Sequence, residues 1–307
     1  FNSSKTHFRK LWFCECLSFL TFVKNQILRF IIFILLFIIS SVWGQNPFYQ
    51  TIDKSAGLPA NSVFDIFQDR QGFMWFATGK GICRYDGSVF KKFTNDCETS
   101  ISGSCLSEDS FGRIWYVNFD GYLQYVENGV LKSLNQPTSL GYFRYGIIGN
   151  ELLIIQPNAV LTYDLKTLKV KSRKTIDDHD IKFCFSYGNK FYVIGKYLYE
   201  FSTNKQFKKY VLPENFKKDI QIPLMNVWDN QLVVFSKNND VFYVFKNGGF
   251  TKKKMNLNID YNQNTAIIDH EAWICSTNGV TKYGLLSNKS QTYFKDENIS
   301  FVFKDQQ

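Results

Sequence analysis

Few side chains in this sequence stand where catalysis or metal binding would need them. A metal site needs clustered His, Cys, Asp or Glu. His7 lies near the N-terminus, His179 and His270 are far apart in the chain, and no Cys-x2-Cys occurs. The adjacent carboxylates Asp177 and Asp178 read as a turn rather than an acid/base pair, and no G-x4-GK[ST] phosphate loop is present. Beyond Cys14 and Cys16, five cysteines remain: Cys83, Cys97, Cys105, Cys184 and Cys275. Cys97 and Cys105 bracket a connection and could bridge in an oxidising compartment, but unpaired buried thiols are the expected state. The expectation is therefore no catalytic residue, no metal and no cofactor.

The elements that would position any other site follow from composition. The chain has 307 residues, 45% hydrophobic and 18% aromatic, with 31 Phe and 17 Tyr. That excludes a disordered chain and favours strands. The net charge of +9 invites a nucleic-acid reading, but +4 of it belongs to residues 1–44. The longest basic run beyond that, Lys252-Lys253-Lys254, is short and reads as a solvated strand edge, so no nucleic-acid partner is expected.

Lys24 and Arg29 precede an unbroken apolar run, Phe30–Ile39, which is followed by Ser40, Ser41, Val42, Trp43 and Gly44. This is the layout of a secretory signal over residues 24–44, with cleavage expected between Gly44 and Gln45. Ten apolar residues are too few to cross about 30 Å of hydrocarbon. Residues 1–23 carry no methionine and are expected to be a misassigned leader or a fragment, so the folded domain is placed at 45–307.

Self-comparison gives the strongest signal. Trp-x5-Gly-x3-Tyr recurs as Trp75/Gly81/Tyr85, Trp115/Gly121/Tyr125 and Trp273/Gly279/Tyr283, and the first two copies are 40 residues apart. Asp-x2-Gly-x2-Trp precedes two of them, at Asp69/Gly72/Trp75 and Asp109/Gly112/Trp115. Degenerate copies begin at Gly149, Gly188 and Asp229, making six. Each reads as four short strands; in the first they are Val63–Gln68, Met74–Thr78, Ile82–Tyr85 and Val89–Phe93. Asp86-Gly87, Asn128-Gly129 and Asn247-Gly248 supply turn chemistry between the third and fourth strands. Four-stranded units of this period predict an all-β fold, a β-propeller. The repeated Trp and Tyr are then packing between blades, and the repeated Gly a turn without room for a Cβ. Pro47–Thr51 reads as a stray outer strand. Phe301–Gln307 matches Asp65–Gln71, so the expectation is six blades plus the first strand of a truncated seventh.

Gly57–Gly87 (GLPANSVFDIFQDRQGFMWFATGKGICRYDG) resembles the repeat of the two-component regulator propeller family, in its GLPANSV opening, its D-x2-G-x2-W turn and its G-x3-YDG hairpin. The resemblance is strong in the first copy, good in the second and sixth, and architectural in the others. It implies a periplasmic sensor propeller that binds a small-molecule ligand, notably carbohydrate breakdown products, and often works as a dimer. It also implies an output module beyond an inner-membrane segment, both expected to belong to sequence past Gln307. A sialidase-type hydrolase is the competing class, but its Asp-box places Gly two residues after Asp, whereas here the spacing is three. In a propeller the loops before the first strand and between the second and third gather on one face. Asn61, Lys80, Phe119, Asp120, Tyr142 and Arg144 fall there and offer the ring, amide, carboxylate and cation chemistry that sugars require. Each also reads as an ordinary solvated loop residue. A free-standing secreted binding propeller is the alternative function.

Overall fold

A computed structural model describes residues 24, 26–30, 51–94, 100–137, 145–203, 206–220, 223–236, 240–257 and 264–305. The chain divides into two compact units, Phe1–Thr51 and Ile52–Gln307. In the first, residues 26–30 are helical; the leader call at 1–23, most of the signal call, and Pro47–Gln50 lie outside the described residues. No helix among the described residues is long and apolar enough to cross a membrane.

The second unit is six antiparallel sheets of four strands, each with its strands in chain order. Blade 1 holds β1 (Val63–Gln68), β2 (Met74–Thr78), β3 (Gly81–Tyr85) and β4 (Phe90–Phe93). Blade 2 holds β5 (Gly103–Glu108), β6 (Ile114–Asn118), β7 (Tyr122–Glu127) and β8 (Val130–Pro137). Blade 3 holds β9 (Tyr145–Ile148), β10 (Glu151–Gln156), β11 (Ala159–Asp164) and β12 (Lys169–Thr175). Blade 4 holds β13 (Phe183–Tyr187), β14 (Lys190–Ile194), β15 (Tyr197–Ser202) and β16 (Phe207–Val211). Blade 5 holds β17 (Pro223–Trp228), β18 (Gln231–Ser236), β19 (Val241–Lys246) and β20 (Gly249–Lys254). Blade 6 holds β21 (Asn264–Ile268), β22 (Glu271–Ser276), β23 (Gly279–Gly284) and β24 (Ser290–Tyr293). A four-residue helix, α1 (Phe216–Asp219), lies between blades 4 and 5. This is a six-bladed β-propeller.

The middle strands are apolar on both faces because each face needs a neighbour to cover it. Leu152, Ile155, Val233 and Phe235 are wholly buried, and each such side chain contributes about 1.5–3 kcal/mol. Five buried clusters join consecutive blades. Trp75, Ile82 and Tyr116 meet between blades 1 and 2, and Trp115, Tyr125 and Tyr163 between blades 2 and 3. The series continues with Ile155, Phe191 and Tyr199, then Tyr192, Phe216 and Tyr243, and ends with Phe235, Phe242 and Tyr283.

The turns between first and second strands fall into two kinds. In blades 1 and 2 an aspartate organises a four-residue turn. Asp69 Oδ1 accepts from the N–H groups of Gln71 and Phe73, while Oδ2 accepts from Trp75 Nε1 at 2.7 Å. Asp109 repeats this with Phe111, Arg113 and Trp115, and adds Arg113 Nε at 2.6 Å. Blades 5 and 6 replace the turn by two residues with positive φ, Asp229-Asn230 and Asp269-His270. That is the backbone a tight hairpin needs, but no aspartate is left to meet the indole. Trp273 Nε1 is buried without a partner among the described residues.

The repeated Tyr does not keep one role. Thr78 faces Gly81 in blade 1, and Ser276 faces Gly279 in blade 6. In blade 2 Val117 faces Leu123, so the turn holds one residue more. That single residue puts Tyr125 on the same side as Trp115, whereas Tyr85 and Tyr283 lie on the side away from their Trp. Tyr283 is buried between blades 5 and 6; Tyr85 stacks on Phe90 near the surface. The repeated Gly81, Gly121 and Gly279 all have positive φ.

The expected first strand of a seventh blade is not confirmed: Phe301–Asp305 forms no ladder among the described residues. Every other innermost strand is held by its own second strand, and no described strand pairs with this segment. Phe301–Lys304 lines the central channel near β21, where Lys304 Nζ meets both carboxylate oxygens of Asp269 at 2.7 and 2.8 Å.

Candidate functional site

The first strand of every blade is innermost, and together these six strands wall a channel of about 740 Å³ with Phe301–Lys304. That volume falls within the usual small-molecule range of about 300–1,000 Å³. The wall combines rings (Tyr145, Phe183, Phe185, Phe303) with polar groups (Asp65, Ser107, Glu108, Asn226, Thr265).

Blades 1 to 3 are stitched at this wall by polar bonds rather than by apolar packing. Asp65 Oδ2 accepts the Leu106 N–H at 2.7 Å, and Oδ1 accepts the Ile66 N–H at 2.9 Å. Leu106 is presented by a bulge in β5, where the register shifts between Ser104 and Ser107 and Cys105 has φ 61°. From blade 3, the Tyr145 hydroxyl donates to the Cys105 carbonyl and lies 2.8 Å from Ser107 Oγ. Cys184 Sγ donates to the Tyr145 carbonyl at 3.6 Å. Burial pushes the Asp65 carboxyl up to about 6 against the pull of these N–H groups. Burial likewise raises the Cys105 thiol and the Tyr145 phenol well above their ordinary ranges. In blade 5 an amide does the corresponding work: Asn226 Nδ2 donates to the Thr265 carbonyl of blade 6 at 2.8 Å, and its Oδ1 accepts the Val227 N–H.

The loop face gathers four of the six residues singled out from the sequence. Gly79 N donates to the Ser62 carbonyl, Ser102 Oγ to the Gly79 carbonyl and Phe119 N to the Ser102 carbonyl, all at 2.8–2.9 Å. This chain of bonds draws Asn61, Lys80, Phe119 and Asp120 into one neighbourhood over blades 1 and 2. Asn61 accepts the Lys54 N–H at 2.9 Å, so part of its amide already fixes the turn. Lys80 and Asp120 are exposed. Phe119, 38% exposed, sits edge-on to Phe64, centroids 4.9 Å apart. Tyr142 and Arg144 lie outside the described residues, as does Cys97, while Cys105 is a free thiol on the channel wall. Among the described residues no group of His, Cys, Asp or Glu is arranged to hold a metal ion.

Sequence reasoning missed the channel residues Asp65, Ser107, Tyr145 and Asn226. One signal was available: Asp65 is a carboxylate in the middle of the apolar run VFDIF.

Residues 57–80 match the family model of the two-component regulator propeller. Over 72 residues the chain is 35% identical to a histidine kinase of Formosa agariphila, a match that covers 24% of this chain and 5% of that protein. Among solved structures it is similar to the extracellular domain of a one-component system of B. thetaiotaomicron, with TM-score 0.67, 12% identity, and coverage of 85% of this chain and 41% of the other. A hybrid two-component system of B. thetaiotaomicron gives an extracellular domain with TM-score 0.60, 19% identity, and coverage of 83% and 39%. Virginiamycin B lyase of Staphylococcus aureus gives TM-score 0.61, 12% identity, and coverage of 78% and 85%. At these identities the structural likeness establishes the propeller fold alone. The chain spans a small part of the kinase and about two fifths of each sensor chain.

Proposed function

From a six-bladed propeller whose first blade carries a two-component regulator propeller repeat, we propose that this chain is the extracytoplasmic ligand-sensing part of a signalling regulator. It binds a carbohydrate-derived small molecule and passes the signal to an output module elsewhere in the protein. In this reading residues 24–44 direct export, the working form is a dimer, and an inner-membrane segment joins sensor to output. The chain acts by binding, without catalysis.

The observation that carries the reading is the convergence of that repeat with a loop face and a channel of ligand-accommodating size. Sugars present apolar C–H faces and many hydroxyls, so they are met by rings together with amide, carboxylate and ammonium groups. Phe119, Asn61, Asp120 and Lys80 offer this set at the face; Tyr142 and Arg144, outside the described residues, are assigned to it from the sequence alone. A ligand shifts signalling only by binding one arrangement of the sensor more tightly than another, and the dimer geometry is the proposed variable.

The test is calorimetric titration with neutral and acidic oligosaccharides, on wild type and on Lys80→Ala, Asp120→Ala, Tyr142→Ala and Arg144→Ala. Binding weakened about tenfold or more by these changes supports the site. Undiminished affinity in the Tyr142 and Arg144 variants removes it.

A further inference from the structure

The outermost strands of blades 3, 4 and 5 read KVKSRKT, FKKYV and GFTKKK. They contain nine cations, Lys169, Lys171, Arg173, Lys174, Lys208, Lys209, Lys252, Lys253 and Lys254, all exposed, and not one carboxylate. The whole chain carries 36 basic and 27 acidic residues. Residues 1–44 hold five of the basic and one of the acidic residues, so residues 45–307 carry 31 against 26, a net of +5; with these nine set aside, 22 basic residues face 26 acidic ones, and the net positive charge of that part comes from this one sector of the rim. Three of the nine meet carboxylates, as Lys171–Glu151, Lys252–Asp219 and Lys254–Asp240.

Lysines on an edge strand also prevent edge-to-edge aggregation, and two further features separate this sector from such protection. First, the cations stand over rings. Lys174 Nζ of blade 3 lies 4.8 Å from the centre of the Phe207 ring of blade 4, and within blade 4 Lys209 Nζ lies 3.6 Å from that of Tyr197. Second, a cleft of about 340 Å³ opens between blades 3 and 4 beneath the cations. Lys171, Arg173 and Lys174 stand at it with Thr162 and Gln206, over Phe207, and one carboxylate, Glu151, lines it in a pair with Lys171. Cations, hydroxyl, amide and a ring together fit an acidic sugar, whose carboxylate or sulfate takes the charges while its ring takes the aromatic edge.

We propose that the outer rim of blades 3–5 is a binding surface for an anionic polysaccharide, with one acidic sugar unit seated in the cleft between blades 3 and 4. A flexible polymer can follow a convex rim across three blades, whereas a planar lipid surface meets one blade edge at a time. This surface is separate from the loop face and the channel, and does not depend on them.

The experiment measures binding of the full chain to dextran sulfate, polygalacturonate and neutral dextran at near-physiological salt. The expected result is binding of an anionic polymer and none of dextran. Lys171→Gln/Arg173→Gln/Lys174→Gln should weaken it at least tenfold, and Lys252→Gln/Lys253→Gln/Lys254→Gln several-fold. Lys91→Gln/Lys92→Gln, on the outer strand of blade 1, should change it less than twofold. An unchanged unfolding midpoint checks the fold of each variant, and Arg173→Gln alone should show a reduced form of the same loss. No binding to either anionic polymer overturns the proposal. So does equal weakening by the blade 1 variant, which marks a non-specific charge effect. Binding confined to anionic phospholipid vesicles or to single-stranded DNA overturns it as well.

Discussion

Replacing Asp65 by Asn isolates one charge at the junction of blades 1 and 2. In the folded protein burial raises this carboxyl from 3.8 to about 6. Between those values the folded state holds a proton that the unfolded state has released. Stability from this group is therefore complete below about pH 4 and is lost as pH rises through 6. The rise from 3.8 to about 6 corresponds to about 3 kcal/mol, which partial exposure of Asp65 trims to about 2–3 kcal/mol. Asparagine carries no charge at any pH, but it sets an amide N–H₂ or its oxygen against two backbone donors, Leu106 N and Ile66 N. One donor is then left unmet, at about 1–3 kcal/mol. The variant should thus be 1–3 kcal/mol less stable than wild type near pH 4 and close to wild type or slightly more stable near pH 8. Guanidinium unfolding followed by tryptophan fluorescence at unit pH steps measures the difference directly, because the other carboxylates contribute alike to both proteins. A stability difference that stays constant from pH 4 to 8 would refute the claim that burial at this junction opposes ionisation of Asp65.

The other consequences concern turns and packing. Asp109→Ala takes from Arg113, only 4% exposed, the nearer of two carboxylates and leaves Glu127 at 3.7 Å, and should cost about 3 kcal/mol in denaturant unfolding. Trp75→Phe deprives the buried Asp69 of its indole donor and should cost about 2 kcal/mol. Trp273→Phe removes a buried N–H that has no partner among the described residues, so it should stay within about 1 kcal/mol of wild type; equal losses in the two would disprove the distinction. Gly279→Ala forces a Cβ at φ 101° to within 2.4 Å of the Tyr293 carbonyl oxygen and should lower stability by at least about 1–3 kcal/mol. Burial pushes the thiols of Cys83 and Cys275 up to about 12, so iodoacetamide at pH 8 should leave both unmodified in the native protein and alkylate them on unfolding.

Much of this architecture can be read from local sequence because its causes are local. Turn chemistry and period-2 alternation fix where strands begin and end, so the first blade's strands fall within a residue of their expected bounds. Asn128-Gly129 and Asn247-Gly248 take positive φ at both positions, as two-residue hairpins require. Other features depend on what the turns do to register and on what the sheets bring together. One extra residue after Val117 sends Tyr125 to the opposite face from Tyr85, although both stand ten residues beyond their Trp. Phe301–Asp305 repeats the sequence of a first strand, yet it lines the channel without a ladder, because pairing needs a partner and not a pattern. Lys252-Lys253-Lys254 taken alone is a short solvated edge. Only stacking three blades side by side gathers it with six further cations. Asp65 and Tyr145 are 80 positions apart in the chain, and they share a wall because six inner strands surround one axis. Local propensity sets the pieces; their convergence is decided by apolar faces that each sheet can bury only against the next.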